Sequence, residues 1–168
     1  MAHTLEEFIT KIHVDNYQDT LSCYDNANLD ELGEAGFTGL TPPFNTLEDA
    51  QAWWSNILGD VTVSSYWNTR LDPGQEQGTH LHVDPELGFD IDDSVDGQQT
   101  AVLYSKYNPS VHKPTYFSET NLRISEYKPA GIIEGDCLTF PSNIYHRAPK
   151  NTSAESRITS VCTFTYNV

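Results

Sequence analysis

The chain is poor in positive charge and in sulfur, and it has no long apolar run. Nine of its 168 residues are Lys or Arg, against 24 Asp and Glu, for a formal net charge of −15. So acidic a surface repels phosphate backbones, and nucleic acid is not expected as a partner. Cysteine occurs three times, at Cys23, Cys137 and Cys162, and methionine once. An odd, widely spaced set of cysteines suggests neither a disulfide framework nor a cysteine zinc site. It reads as reduced thiols in a cytoplasmic protein. No stretch approaches the roughly 20 apolar residues that a membrane-spanning helix needs, so no membrane association is expected. The opening residues, Met1 to Glu7, lack a basic segment ahead of an apolar core, so no secretory leader is expected.

Aromatic residues, by contrast, are plentiful: seven Phe, nine Tyr and three Trp. They favour an ordered, β-rich domain over disorder. The length suits a single domain over 1–168, with residues 1–60 as helical support and 61–168 as the core. In the first part, Thr4-Leu5-Glu6-Glu7 reads as a capping box ahead of Leu5, Phe8, Ile9 and Ile12 at helical spacing. Thr46-Leu47-Glu48-Asp49 is a second helix start before Ala50, Trp53, Trp54, Ile57 and Leu58. After Gly59-Asp60 the pattern changes to short β-like runs, predicted near 61–70, 79–84, 100–107, 114–118, 122–127, 136–140, 143–148 and 156–166. Turn signals such as Asp72-Pro73-Gly74, Asn108-Pro109 and Pro129-Ala130-Gly131 separate them. Many short strands with that punctuation predict a mainly β sandwich or jelly roll with the helices packed on one sheet.

The motif richest in chemistry is Gly78-Thr79-His80-Leu81-His82-Val83-Asp84. Side chains alternate faces along a strand, so His80, His82 and Asp84 share one face while Leu81 and Val83 share the other. Pro85 then favours ending the strand. Two imidazoles and a carboxylate on one face look like half of a metal site awaiting a distal ligand. The C-terminal third offers one in His146. Eleven residues later Arg157 opens a strand in which Arg157 and Thr159 share a face. A buried arginine is costly unless it meets an anion, and its planar fork suits a carboxylate. Arg70, Arg123 and Arg147 are its rivals for that role. Two histidines and a carboxylate on one face of a metal leave three adjacent positions open.

The ordered set His82-Val83-Asp84, His146, Arg157 and Thr159 resembles the pattern of the 2-oxoglutarate and Fe(II)-dependent oxygenases, over about residues 61 to 167. Ala101-Val102-Leu103-Tyr104 resembles the strand that supplies a cosubstrate-binding Tyr in the prolyl-hydroxylase branch. The segments Gly135 to Ser142, His146 to Asn151 and Arg157 to Ser160 are similar to the small oxygenases of bacteria and their phages. The resemblance implies a double-stranded β-helix (a jelly roll) with Fe(II) on His82, Asp84 and His146. It further implies 2-oxoglutarate held by Arg157, Thr159 and Tyr104, and dioxygen as oxidant. The implied reaction is hydroxylation of a peptide, amino acid or small molecule with release of succinate and CO2, by a monomer or weak dimer. Segments 85–99 and 108–118, which flank the substrate's way in, match nothing specific, so the substrate stays open. Thr163 stands where nucleic-acid demethylating members carry a second arginine, which argues against base repair.

Two other readings stand beside this one. Gly74, His80, His82 and Glu86, followed by Gly135, Pro141 and His146, satisfy much of the cupin spacing. A cupin would bind metal through His80, His82, Glu86 and His146, but Pro85 interrupts the strand before Glu86 and Arg157 has no task. The third reading is a non-catalytic jelly-roll binding or virion-associated module. His80 is open between replacing Asp84 as a ligand, lining the pocket and supporting a ligand. His3, His13 and His112 read as surface histidines.

Overall fold

The computed structural model describes residues 4–21, 38–39, 44, 46–80, 97–120 and 125–167. Among these, nine strands and one α-helix are arranged as two facing sheets. The strands are β1 (Thr10–His13), β2 (Thr38–Gly39), β3 (Val61–Leu71), β4 (Gln77–His80), β5 (Gln99–Lys106), β6 (Tyr116–Ser118), β7 (Asp136–Pro141), β8 (Tyr145–Ala148) and β9 (Arg157–Tyr166), and the helix is α1 (Leu47–Leu58). The larger sheet has the order β1-β7-β5-β9-β3-β2 and the smaller β4-β8-β6, with every pair antiparallel. This is the expected mainly β jelly roll. No helix among the described residues is long and apolar enough to cross a membrane.

Helix α1 forms where its start signal lies. The Thr46 side chain accepts a hydrogen bond from the Asp49 N–H at 3.1 Å, and Glu48 and Asp49 sit in the positive first turn. Gly59, at φ 91°, ends it in a conformation that glycine adopts without strain. Ala50 and Trp54, four residues apart, are fully buried against the large sheet. Gln51 ties the helix to β3, donating to the Val61 carbonyl at 2.7 Å and accepting from the Val63 N–H at 2.7 Å.

The first expected helix does not form. Leu5–Phe8 make only a single 3-10 turn, and Thr4 makes no side-chain cap. Thr10–His13 instead extend as an edge strand, with Thr10 opposite Thr139 and His13 opposite Asp136. A stretch this short nucleates a helix poorly in water, whereas the open edge of β7 offers it a ladder of partners. Among the described residues of 1–60, the support role is therefore divided between two strands, two 3-10 turns and α1.

The two faces of the large sheet bury different sets. Val61, Val63, Ala101, Leu103, Cys137, Cys162 and Phe164 pack beneath α1 on the outer face. Val102, Tyr104, Leu138, Phe140 and Val161 face the small sheet and meet Phe117 and Ile144 there. A register shift between Val63 and Ser65 makes this division possible along β3. One extra residue reverses the alternation. Val63 lies under the helix, while Trp67 packs with the inner cluster.

Candidate active site between the two sheets

A small cavity opens between the inner faces. Trp67, Thr69, Val102, Arg157, Thr159 and Val161 line it from the large sheet, and Gln77, His80, His146 and Ala148 from the small one. His146, Arg157 and Thr159 thus meet in one place, as the sequence led us to expect. His82 and Asp84 lie outside the described residues, as do Glu86 and Arg123. Among the described residues no three metal-ligating side chains cluster.

Strand pairing places the two described histidines. His80 stands directly opposite His146 across the β4–β8 ladder, and their ring centroids are 4.2 Å apart. Each ring is steered by its own backbone. His80 Nδ1 lies 2.8 Å from the Gly78 carbonyl, and His146 Nδ1 lies 3.0 Å from the Ile144 carbonyl, in both cases two residues upstream. A carbonyl only accepts, so Nδ1 carries the proton and Nε2 of each neutral ring carries the lone pair. Burial lowers the His80 pKa below the usual histidine range, outweighing the hydrogen bond to Gly78. Phe140, with its ring centroid 4.9 Å from that of His146, walls the buried side.

Arg157 is almost wholly buried, at 3% exposure. Its guanidinium lies over the Tyr104 ring at 5.2 Å. Among the described residues, its Nε and Nη2 have no hydrogen-bond partner. Desolvation pulls its pKa down, while Tyr104 and Tyr107 hold it up. The other described arginines are answered. Arg147 grips Glu126 with two bonds, at 2.7 and 3.0 Å, and Arg70 meets Asp72 at 2.9 Å. Of the expected rivals for an anion, these two already hold carboxylates. Thr159 is in the cavity wall two residues from Arg157, on the same face.

Tyr104 is fully buried. Its hydroxyl donates to Thr115 Oγ1 at 2.8 Å and accepts from the Thr115 N–H at 2.8 Å. Its ring thereby gives Arg157 a fixed surface, and burial raises the phenol's pKa above the usual range. Thr115, Thr69, Gln77 and Trp67 escaped the sequence reading. Trp67 and Thr69, both on β3, were hidden by the register shift, and Thr115 by its place between strands. His112, expected on the surface, is buried: its Nδ1 accepts from the Asn108 N–H and its Nε2–H donates to the Glu155 carbonyl, both at 2.9 Å. His13 is exposed, as expected, with its Nδ1 2.9 Å from the buried Asp136.

No protein-family model matches the chain, and no curated protein sequence matches it. Solved structures do share its fold. A prolyl-4-hydroxylase from Pseudomonas putida superimposes with a TM-score of 0.57 at 14% identity, over 96% of this chain and 94% of that one. The viral collagen prolyl hydroxylase of Paramecium bursaria Chlorella virus-1, solved with 2-oxoglutarate, gives 0.54 at 15% identity, over 99% and 100%. HygX from Streptomyces hygroscopicus, solved with nickel and 2-oxoglutarate, gives 0.62 at 11% identity, over 99% and 88%. The chain therefore has the jelly-roll fold found in 2-oxoglutarate and Fe(II) oxygenases.

Proposed function

We propose that the protein is an Fe(II)- and 2-oxoglutarate-dependent dioxygenase that hydroxylates a small molecule or a peptide. The observation that carries this reading is the buried, unanswered Arg157 in a cavity that also holds a matched pair of imidazoles. A buried cation without a counter-ion is expensive, and a bound carboxylate removes that cost. A second carboxyl group on the same ligand then reaches toward the imidazoles on the opposite wall. A short dicarboxylic 2-oxo acid meets both demands. The prolyl hydroxylases and HygX, which share the fold, bind 2-oxoglutarate or carry hydroxylase names, and this supports the choice.

The residues present fit the metal. His146 offers Nε2 as a neutral donor, and the His80 to Asp84 motif offers further nitrogen and oxygen ligands. That set suits Fe(II). The sequence assignment is His82, Asp84 and His146; the other way to draw two ligands from the motif is His80 and His82. When bound, the iron and dioxygen would supply the oxidation: the 2-oxo acid loses CO2 and gains one oxygen to become succinate, and the other oxygen enters a substrate C–H bond. The chain's own residues hold the reactants. Arg157 grips the distal carboxylate and Thr159 offers its hydroxyl beside it. Tyr104 fixes the guanidinium plane and Thr115 anchors Tyr104. Trp67, Val102 and Val161 keep that wall apolar, which strengthens the charged contacts.

The cupin reading leaves Arg157 unanswered, and a pure binding module gives the cavity no reason to combine it with imidazoles. The buried free thiols Cys137 and Cys162 accord with a reducing cytoplasmic setting, and the protein is proposed to act as a monomer or weak dimer. Anaerobic addition of 2-oxoglutarate to the Fe(II)-loaded protein tests the reading. A visible charge-transfer band is expected; its absence, with metal bound, would favour the cupin. Metal binding without succinate release under any substrate condition would favour the binding module.

A further inference from the structure

A further cavity, of about 100 Å³, opens beside the end of β5 and the start of β9. Lys106, Tyr107, Asn108, His112, Glu134 and Glu155 are in its wall, and it shares no lining residue with the cavity that holds Arg157. We propose that this cleft binds a small free α-amino acid, with Glu134 and Glu155 holding its ammonium group and Lys106 its carboxylate. The inference goes beyond the oxygenase reading and needs neither metal nor 2-oxo acid.

The first observation behind it is unmet charge. Lys106 is exposed and, among the described residues, forms no ion pair. Two carboxylates line the same small space, yet neither comes within ion-pair distance of the lysine. Opposite charges that share a cavity without meeting leave room for a molecule that carries both. Each carboxylate also keeps capacity to accept. Glu134 takes one bond on each oxygen, from the Tyr107 N–H at 3.0 Å and the Tyr17 hydroxyl at 2.6 Å. Glu155 takes one at Oε2, from the Asn108 side-chain amide at 2.8 Å. A carboxylate has about four acceptor sites, so an ammonium group can donate to both.

The second observation is a wall that is already set. The Asn108 carbonyl accepts from the N–H groups of Val111 and His112 at 3.0 and 2.8 Å, and its side-chain oxygen from the Ser110 N–H at 3.0 Å. Both ring nitrogens of His112 are bonded, and the Tyr107 hydroxyl donates to the His112 carbonyl at 3.2 Å. The polar wall is thus framed before a ligand arrives, which lowers the ordering cost of binding. The volume is several times what a single water needs, which suits an amino acid with a short side chain.

The test is titration of glycine into the whole chain as purified, followed by amide proton–nitrogen NMR spectra. Glycinamide, which lacks the carboxylate, and acetate, which lacks the ammonium group, are titrated beside it. Saturable shifts at Tyr107, Asn108, His112 and Glu155 are expected for glycine, with a Kd of about 1 mM. Glycinamide and acetate should each bind about tenfold more weakly, having lost a charge-assisted contact. Lys106→Met should erase the preference for glycine over glycinamide, and Glu155→Gln should weaken glycine several-fold. Both residues are exposed, so both variants are expected to fold, which circular dichroism checks. Shifts that rise without saturating through tens of millimolar glycine would overturn the inference. So would equal binding of the three ligands, an unchanged preference in Lys106→Met, or shifts centred on Arg157 and Thr159. Each of those results leaves the oxygenase reading standing, because that reading rests on the other cavity.

Discussion

The two faces of the six-stranded sheet are built from alternate residues of the same strands, yet they are completed in different ways. The outer face, beneath α1, is closed by apolar packing, and its one orphan is the neutral indole N–H of Trp54 rather than a charge. Ala50 and Trp54 close over Ala101, Leu103, Cys137, Cys162 and Phe164, all fully buried. The inner face, one residue away along each strand, mixes Val102 and Val161 with Thr159 and a guanidinium that lacks two partners among the described residues. The first arrangement leaves no buried charge to be met. The second leaves a cost in the folded state that a ligand can remove. That difference, rather than burial alone, separates core from site.

Substitutions on each side sharpen the contrast. Trp54→Ala empties the outer core and is expected to cost about 3–5 kcal/mol of stability, measured by urea unfolding. Any folded fraction should keep its affinity for 2-oxoglutarate. A cost under about 1 kcal/mol would mean that α1 does not seal this face. Arg147→Ala, on the small sheet, strands the mostly buried carboxylate of Glu126 and is expected to cost about 1–3 kcal/mol by the same assay. Arg157→Leu should behave oppositely. Removing an unanswered buried cation is expected to leave stability unchanged or to raise it by about 1 kcal/mol, while binding of the 2-oxo acid is lost. A destabilisation as large as that of Arg147→Ala would show that Arg157 already has a structural partner.

The smallest effect is one of reactivity. Burial raises the thiol pKa of both Cys137 and Cys162 well above the ordinary range. At pH 8 both stay protonated in the folded state, because the solution pH lies below their raised pKa values. Native alkylation followed by peptide mass analysis should find them unmodified, and labelling should appear only with unfolding. Rapid labelling of either would show that the outer face opens.

Much of this arrangement was legible in the sequence. The strands from Val61–Leu71 to Arg157–Tyr166 fall close to the predicted runs because their β-branched and aromatic residues lie between strong turn signals. His146, Arg157 and Thr159 meet as the motif implied. What local pattern missed was decided by partners distant in sequence. Thr10–His13 pair with β7 in place of the expected helix. The register shift at Val63/Ser65 brings Trp67 and Thr69 to the cavity, which strict alternation from Val61 would not separate from the helix-covered set. His112 is buried by contacts with Asn108 and Glu155 that no periodicity announces. Of His80, His82 and Asp84, only His80 lies among the described residues, opposite His146.

The central claim is that the inner face is completed by a dicarboxylic 2-oxo acid gripped at Arg157. Calorimetric titration of the metal-loaded protein under anaerobic conditions, with 2-oxoglutarate and with a 2-oxo acid that lacks the distal carboxylate, tests it most directly. The wild type should bind 2-oxoglutarate about 100-fold more tightly than the shorter acid, from two charge-assisted hydrogen bonds, and Arg157→Ala should erase that preference. Equal affinity for the two acids, or an undiminished preference in Arg157→Ala, would contradict it.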